Sequence, residues 1–412
     1  MIYVIALLDK SDPPEHSFVD GFLSTVLVEE ADIRVRLVVS RAGRDGGRPR
    51  RYRRAVCLPR LWRRRSLGRL ANVLQAIRLV APQVGRLRAR QQTVVLLVRN
   101  CPILLLAAAV MRPRVDRLVY QSSFPHETAS GSRLLRWGAR LLLRACAPRV
   151  DAVLAVSPLG LARTRRLFPR AGTAAYIPLV ADVPAALAPA PVAGTGTVRF
   201  VYVGSHEAKR GVDLVLRAAA AALARGLDAV FRSIGCTEAE YRRLAADPIL
   251  RPWLDRGRIQ LVHRIPRDAV WRELAAAEVG LSVIPPLPEF REASPTKLAE
   301  YLGAGLAVVA SRGIPAQEDL VADSGAGLMV DWDADAIAGA LARIAADRDA
   351  LARRREAAIR HARTYLDPRA HLANLRRVLA GTGAGADPRE VAPGSNAAAT
   401  AASSGIRGDD DA

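Results

Sequence analysis

The chain has 412 residues, 50% of them hydrophobic, which is too long for one ordinary core and apolar enough for two. Its formal charge of +21 is unevenly placed, with 32 basic and 12 acidic side chains in residues 1–197, 27 and 23 in residues 198–380, and 2 and 5 in residues 381–412. Cys57, Cys101, Cys146 and Cys236 form no CxxC pair and stand beside no His at ligand spacing, which excludes a disulfide framework or zinc site and predicts reduced thiols in a cytoplasmic protein.

In chain order, residues 2–8 predict a strand, 18–29 a helix and 34–40 a second strand, the alternation of a parallel sheet with crossover helices. No signal peptide is read, because Met1 runs directly into an apolar stretch that ends at Asp9. Residues 41–70 carry twelve Arg and only Asp45 as a counter-charge. That density suits an anionic surface such as lipid headgroups, phosphorylated acceptors or nucleic acid. Strands follow at 93–98, 117–121, 152–157 and 175–178. Arg99, Asn100 and Pro102 break the apolar run 94–111 into strand and helix, too short to span a bilayer. In 133–144, Arg133, Arg136, Arg140 and Arg144 share a helical face with Leu and Trp beside them. This is either a helix that docks on an anionic membrane surface or a core helix with a solvated arginine face.

Residues 181–197, rich in Ala, Pro and Gly, read as a linker. A second series then places strands at 198–204, 229–234, 259–263, 279–284, 306–310 and 327–330, with helices between them. Helical patterns at 350–365 and 368–380 close the ordered part, and 381–412 has the composition of a disordered tail. The predicted fold class is α/β: two Rossmann-like doubly wound domains, 1–180 and 198–365, face a central cleft, and 366–380 packs back on the body.

Open parallel sheets bind ligands where their strands end at the carboxyl side. After the predicted strand 279–284 comes Glu292, then Ser294, Pro295, Thr296, Lys297 and Leu298, then Glu300. Ser294 as N-cap and Pro295 as first helical residue would leave the amides of Thr296, Lys297 and Leu298 free for a phosphate, with Lys297 adding charge. Glu300 lies one turn on, within reach of a ribose diol, while Glu292 could reach beyond the phosphates to a sugar. Lys297 is one of three lysines, with Lys10 and Lys209, among 61 basic residues, and a compact ammonium retained against that background marks a site that needs one. Earlier, Gly204 and Ser205 end a strand ahead of Lys209, Arg210 and Gly211. Cations there would offset charge on a departing diphosphate. Either Lys209 and Arg210 form the pair, or one partner comes from elsewhere and the turn is partly a solvated basic one.

Two glutamates separated by seven residues, with Ser294-Pro-Thr-Lys297 between them and Glu300-Tyr-Leu-Gly-Ala-Gly305 after, resemble the donor-site signature of GT-B glycosyltransferases of the retaining GT4 family. The resemblance is strong over 198–335 and architectural before it. It implies a GT-B architecture with an acceptor-side first domain and a nucleotide-sugar-binding second domain. It also implies that Glu292 contacts the transferred sugar, Glu300 the ribose and His263 the border of the base, with front-face transfer and retention. Members of the family often place a sugar-contacting histidine in the loop that holds His126, usually nearer the strand, about where Ser122 stands, so His126 reads equally as a sugar contact and as a plain loop residue. The chain departs from the family at Ser205, where an Arg is usual, and in the loop after Lys10, which lacks the usual glycines.

The resemblance further implies a lipid-linked or saccharide acceptor in cell-surface polysaccharide or glycolipid synthesis, at the inner face of the cell membrane. His16, His206, His361 and His371 form no ligand cluster, so neither a metal nor a cofactor is expected. A nucleotide-sugar epimerase of the same fold is the alternative. A basic membrane- or nucleic-acid-binding protein is a further one, although no nucleic-acid module is present and no specific nucleic acid is expected.

Overall fold

The computed structural model describes residues 1–11, 18–40, 50–52, 55–60, 68–129, 132–181, 183–184, 187 and 196–381. The readings for His16, for most of the 41–70 arginine stretch, for most of the linker and for the tail beyond 381 lie outside these residues.

The first sheet has eight strands: β1 (Ile2–Ser11), β2 (Ile33–Ser40), β3 (Arg50–Tyr52), β4 (Ala55–Arg60), β5 (Thr93–Arg99), β6 (Arg117–Ser122), β7 (Ala152–Ala155) and β8 (Thr173–Tyr176). Their spatial order is β3-β4-β2-β1-β5-β6-β7-β8, and all neighbours are parallel except β3 with β4. The second sheet is wholly parallel, with β9 (Val198–Val203), β10 (Ala229–Cys236), β11 (Ile259–His263), β12 (Val279–Ser282), β13 (Ala307–Ser311) and β14 (Gly327–Val330) in the order β11-β10-β9-β12-β13-β14. Strand β5 is buried along six of its seven residues. A parallel sheet needs such apolar runs because helices cover both its faces. Each sheet accordingly separates two apolar clusters, one per face.

The chain order reverses at β1 and β5 in the first sheet and at β9 and β12 in the second. Those two switch points are where crevices open at the carboxyl ends of the strands, and the two domains face each other across the cleft.

Three local expectations need correction. β3 and β4 arise inside the arginine stretch that the sequence offers only as a charged surface, because apolar character is confined there to a few residues between arginines. Strand β1 continues to Ser11, so Lys10 lies in the strand rather than in the loop after it. The first helix is π-wound over Val19–Val26 before a single α turn, Leu27–Glu29.

The C-terminal segments tie the halves together. The helix Arg348–Thr364 stays with the second domain, where the buried Arg355 donates from Nε to the Gly305 carbonyl at 2.9 Å and Arg348 pairs with Glu278 at 2.7 Å. The helix Leu372–Ala380 crosses back. Its Leu375, Val378 and Leu379 are buried among side chains of the first domain. Arg117 of β6 donates to the Val378 carbonyl at 2.7 Å, and Arg376 pairs with Asp32 at 2.7 Å and with Glu30. Among the described residues, no helix is long and apolar enough to cross a membrane.

Candidate functional site

The loop after β9 is held by backbone contacts that only glycine permits. Gly204 donates to the Ile234 carbonyl at 2.9 Å, and Gly235, at φ +117°, lies so close that a Cβ there would collide with the Gly204 carbonyl. His206, fully buried, sits beneath the loop, with Nδ1 3.0 Å from the Gly204 carbonyl and Nε2 2.7 Å from the Ser233 hydroxyl. A carbonyl only accepts, so Nδ1 carries the proton and Nε2 accepts from Ser233, the neutral ring that burial favours by lowering the His206 pKa. The sequence gives His206 no role, since its partners come from tertiary packing. Ser205 contributes its carbonyl, which accepts from the Tyr202 phenol at 3.1 Å.

The two cations of this loop part company. Lys209 is 57% exposed and pairs with Glu207 at 3.2 Å. Arg210, by contrast, turns inward and lies over the Phe290 ring, 4.6 Å from its centroid. The inward turn follows from Gly211, whose φ of +64° starts the next helix with Trp332 packed against it.

The helix Thr296–Gly303 begins differently from expectation. Pro295, not Ser294, is the N-cap, and no side chain caps the helix. The Ser294 hydroxyl instead accepts the Leu179 amide at 3.1 Å, a contact from the first domain's end that sequence spacing does not reveal. The amides of Thr296, Lys297 and Leu298 therefore open the helix with no side-chain cap over them, and such amides favour an anion. Lys297 lies with Nζ 4.0 Å above the Tyr202 ring centroid, beside Gly204. Burial, helped by Arg210 and opposed by Glu300, brings the Lys297 ammonium down to about 7. Glu300 pairs with Arg267 at 3.1 Å, both largely buried. His263, at the end of β11, is 53% exposed, with Glu238 at 3.6 Å and the Tyr241 ring beside it.

Glu292 faces the first domain. Its carboxylate Oε2 pairs with Arg163 Nε, and its carbonyl accepts from the Ser157 hydroxyl at 2.7 Å. Both partners belong to one helix: Ser157 is the N-cap of Pro158–Leu167, accepting from the Gly160 amide at 3.0 Å, and Arg163 lies inside it. Arg163 also pairs through Nη1 with the buried Glu127 and donates through Nη2 to the Ser122 hydroxyl at 2.8 Å. Nothing in the sequence distinguishes Arg163 from its many neighbours of the same type.

His126 sits next to this group. Its Nε2 donates to the Asn100 carbonyl at 2.9 Å, and the Asn100 side chain accepts the amides of Ser123 and Phe124 at 3.0 Å each. Burial lowers the His126 pKa, so its ring is neutral near pH 7. Thus Arg210, Lys297, Gly204 and the helix end converge, Glu292 and Glu127 meet across the domain boundary through Arg163, and Lys209 and His263 stay in solvent. Among the described residues, no group of His, Cys, Asp and Glu is arranged to hold a metal ion.

Comparison with known proteins agrees with this architecture. Residues 197–347 match the family described as Glycosyl transferases group 1. Among solved structures, sucrose-phosphate synthase from Thermosynechococcus elongatus superposes with a TM-score of 0.71 at 15% identity, covering 93% of this chain and 100% of that one. HepE from Anabaena, in complex with UDP, gives 0.64 at 15% identity, covering 92% and 100%. WaaG, a glycosyltransferase involved in lipopolysaccharide biosynthesis, gives 0.62 at 15% identity, covering 92% and 100%. No curated protein matches the chain in sequence. The family match is thus confined to the second domain, while the whole chain shares the two-domain fold of these structures.

The half-buried Lys297 ammonium has a measurable signature. Between its folded value of about 7 and the ordinary 10.5, the unfolded chain binds more protons than the folded one, so stability rises with pH across that window. Relative to Lys297→Met, the wild type should gain up to about 1.4 kcal/mol per pH unit there. Urea unfolding at a series of pH values reads this, and parallel curves for the two proteins would refute a half-buried charge at Lys297.

Proposed function

We propose that this chain is a glycosyltransferase that moves a sugar from a nucleotide-sugar donor to an acceptor. The observation that carries the proposal is the helix Thr296–Gly303, which starts without a side-chain cap while Lys297 and Arg210 stand beside its first turn. Free amides, a helix dipole and two cations converge on one point, and a diphosphate is the ligand that satisfies all of them. The amides of Thr296, Lys297 and Leu298 hold the phosphates, with Gly204 and Ser205 giving the loop close approach. Glu300, steadied by Arg267, accepts the ribose hydroxyls. Glu292 meets the sugar, His126 lies on the acceptor side, and His263 borders the base.

As the glycosidic bond breaks, negative charge grows on the departing diphosphate, and Lys297 and Arg210 stabilise it without needing to move. A bound diphosphate also restores the proton that burial takes from Lys297. Transfer goes by a front-face route with retention, in which the departing phosphate oxygen takes the acceptor's proton. No covalent intermediate is required. Lys209, paired in solvent, plays no part in this scheme, so the cations are Arg210 and Lys297.

The acceptor is lipid-linked, or a saccharide growing on a lipid. Support comes from the helix Arg133–Cys146, whose outer face carries Leu134, Trp137 and Leu141, exposed by 74%, 61% and 45%, in one stripe beside Arg133, Arg140 and Arg144. Leu143 and Cys146 bury its inner face. Apolar side chains flanked by arginines fit an anionic bilayer surface.

Three experiments test these statements. Thermal shift with UDP-, GDP-, ADP- and dTDP-sugars should pick out one donor, and Glu300→Ala should lose that response by about tenfold or more in apparent affinity. A donor isomerised in the absence of any acceptor would instead point to an epimerase. Product NMR should show the donor's anomeric configuration preserved, an inverted linkage ruling out the front-face route. Flotation should recover the protein with anionic vesicles, less with neutral ones, and neither after Leu134, Trp137 and Leu141 are changed to Ser. Equal recovery of the wild type from both vesicles would remove the membrane reading.

A further inference from the structure

We propose that Arg163 is a positioning residue that sets the carboxylate of Glu292 for the donor's sugar from the opposite domain. The inference rests on the reading above, in which Glu292 meets the sugar.

Arg163 uses all three guanidinium nitrogens on three different partners: Nε on Glu292, Nη1 on Glu127 and Nη2 on the Ser122 hydroxyl at 2.8 Å. The side chain is 16% exposed and its two carboxylate partners 5% and 19%, so the pairs are screened little by solvent. A planar guanidinium with three committed donors has its orientation fixed, which an ammonium on a flexible stem would not. Glu127 and Ser122 come from the first domain, and by holding Nη1 and Nη2 they fix the direction in which Arg163 points. Glu292 is then fixed at both ends, its carboxylate by Arg163 and its carbonyl by Ser157 from the same helix. Arg163 occupies Oε2 and leaves Oε1 as the acceptor for a sugar hydroxyl.

This divides donor recognition between the domains. The nucleoside diphosphate is held by second-domain groups alone, whereas the sugar is read by a glutamate whose geometry the first domain dictates. Donor sugar and nucleotide therefore respond separately to changes at position 163.

The test compares binding of a nucleoside diphosphate with binding of the corresponding sugar nucleotide, together with kcat and KM, in wild type, Arg163→Ala and Arg163→Lys. In Arg163→Ala the diphosphate should bind as in wild type, the additional affinity contributed by the sugar should vanish, and kcat should fall by about 10- to 100-fold with a smaller change in KM. Arg163→Lys, able to meet one carboxylate at a time, should recover part of that loss. Unchanged sugar affinity and turnover in Arg163→Ala overturn the proposal. So does parallel loss of diphosphate binding in both variants, because Arg163 would then be a brace for the fold. A wild type that binds the diphosphate but gains nothing from the sugar also overturns it, while a wild type that binds neither overturns the donor reading itself and this inference with it.

Discussion

The amides that open the helix Thr296–Gly303 lack a side-chain cap, and the residues around them are arranged about that deficit. An ordinary helix start would be quenched by a Ser or Thr hydroxyl, and Ser294 stands close enough in sequence to do it. Its hydroxyl is committed instead to Leu179. The partial positive charge at the helix end is then reinforced by Lys297 and Arg210, groups that repel each other and the helix end alike. Burial resolves part of that repulsion by making Lys297 easy to deprotonate. This cluster of like charges is an electrostatic imbalance that a polyanion relieves, and this is preorganisation in the physical sense.

Holding such an arrangement requires rigid neighbours. The fully buried His206 joins Gly204 to Ser233, the phenol of the buried Tyr301 accepts the Val203 amide at 2.9 Å, and Trp332 closes on Gly211. None of these side chains needs to touch a ligand. They fix the backbone on which Lys297 and Arg210 depend, so the loop after β9 behaves as an extension of the sheet rather than as a free connection.

The alternation of strand and helix is legible in the sequence because parallel strands buried on both faces appear as uninterrupted apolar runs, as in residues 93–98. β3 and β4 escape that logic, since arginines surround their few apolar residues. The helix start at Thr296 is legible as chemistry, through Lys297 in a lysine-poor chain and a glutamate one turn later. What stays hidden is every assignment that depends on a distant partner. Ser294 meets Leu179 across 115 positions and Glu292 meets Arg163 across 129, and the cap role suggested for Ser294 by local spacing loses to a tertiary contact. Arg163 has no local signature at all, because an arginine in an arginine-rich chain is noticed only when its three partners are seen.

The helix Leu372–Ala380 has a consequence for how the protein is made. The first domain contributes its strands within the first 176 residues, yet Leu375, Val378 and Leu379 complete the apolar layer over one face of its sheet. During synthesis that layer stays uncovered while the entire second domain is translated. The second domain, whose strands and covering helices are contiguous in the chain, closes while its neighbour still waits for its last piece. Domains of most multidomain chains finish in the order in which they emerge, but here the first to appear is the last to be sealed.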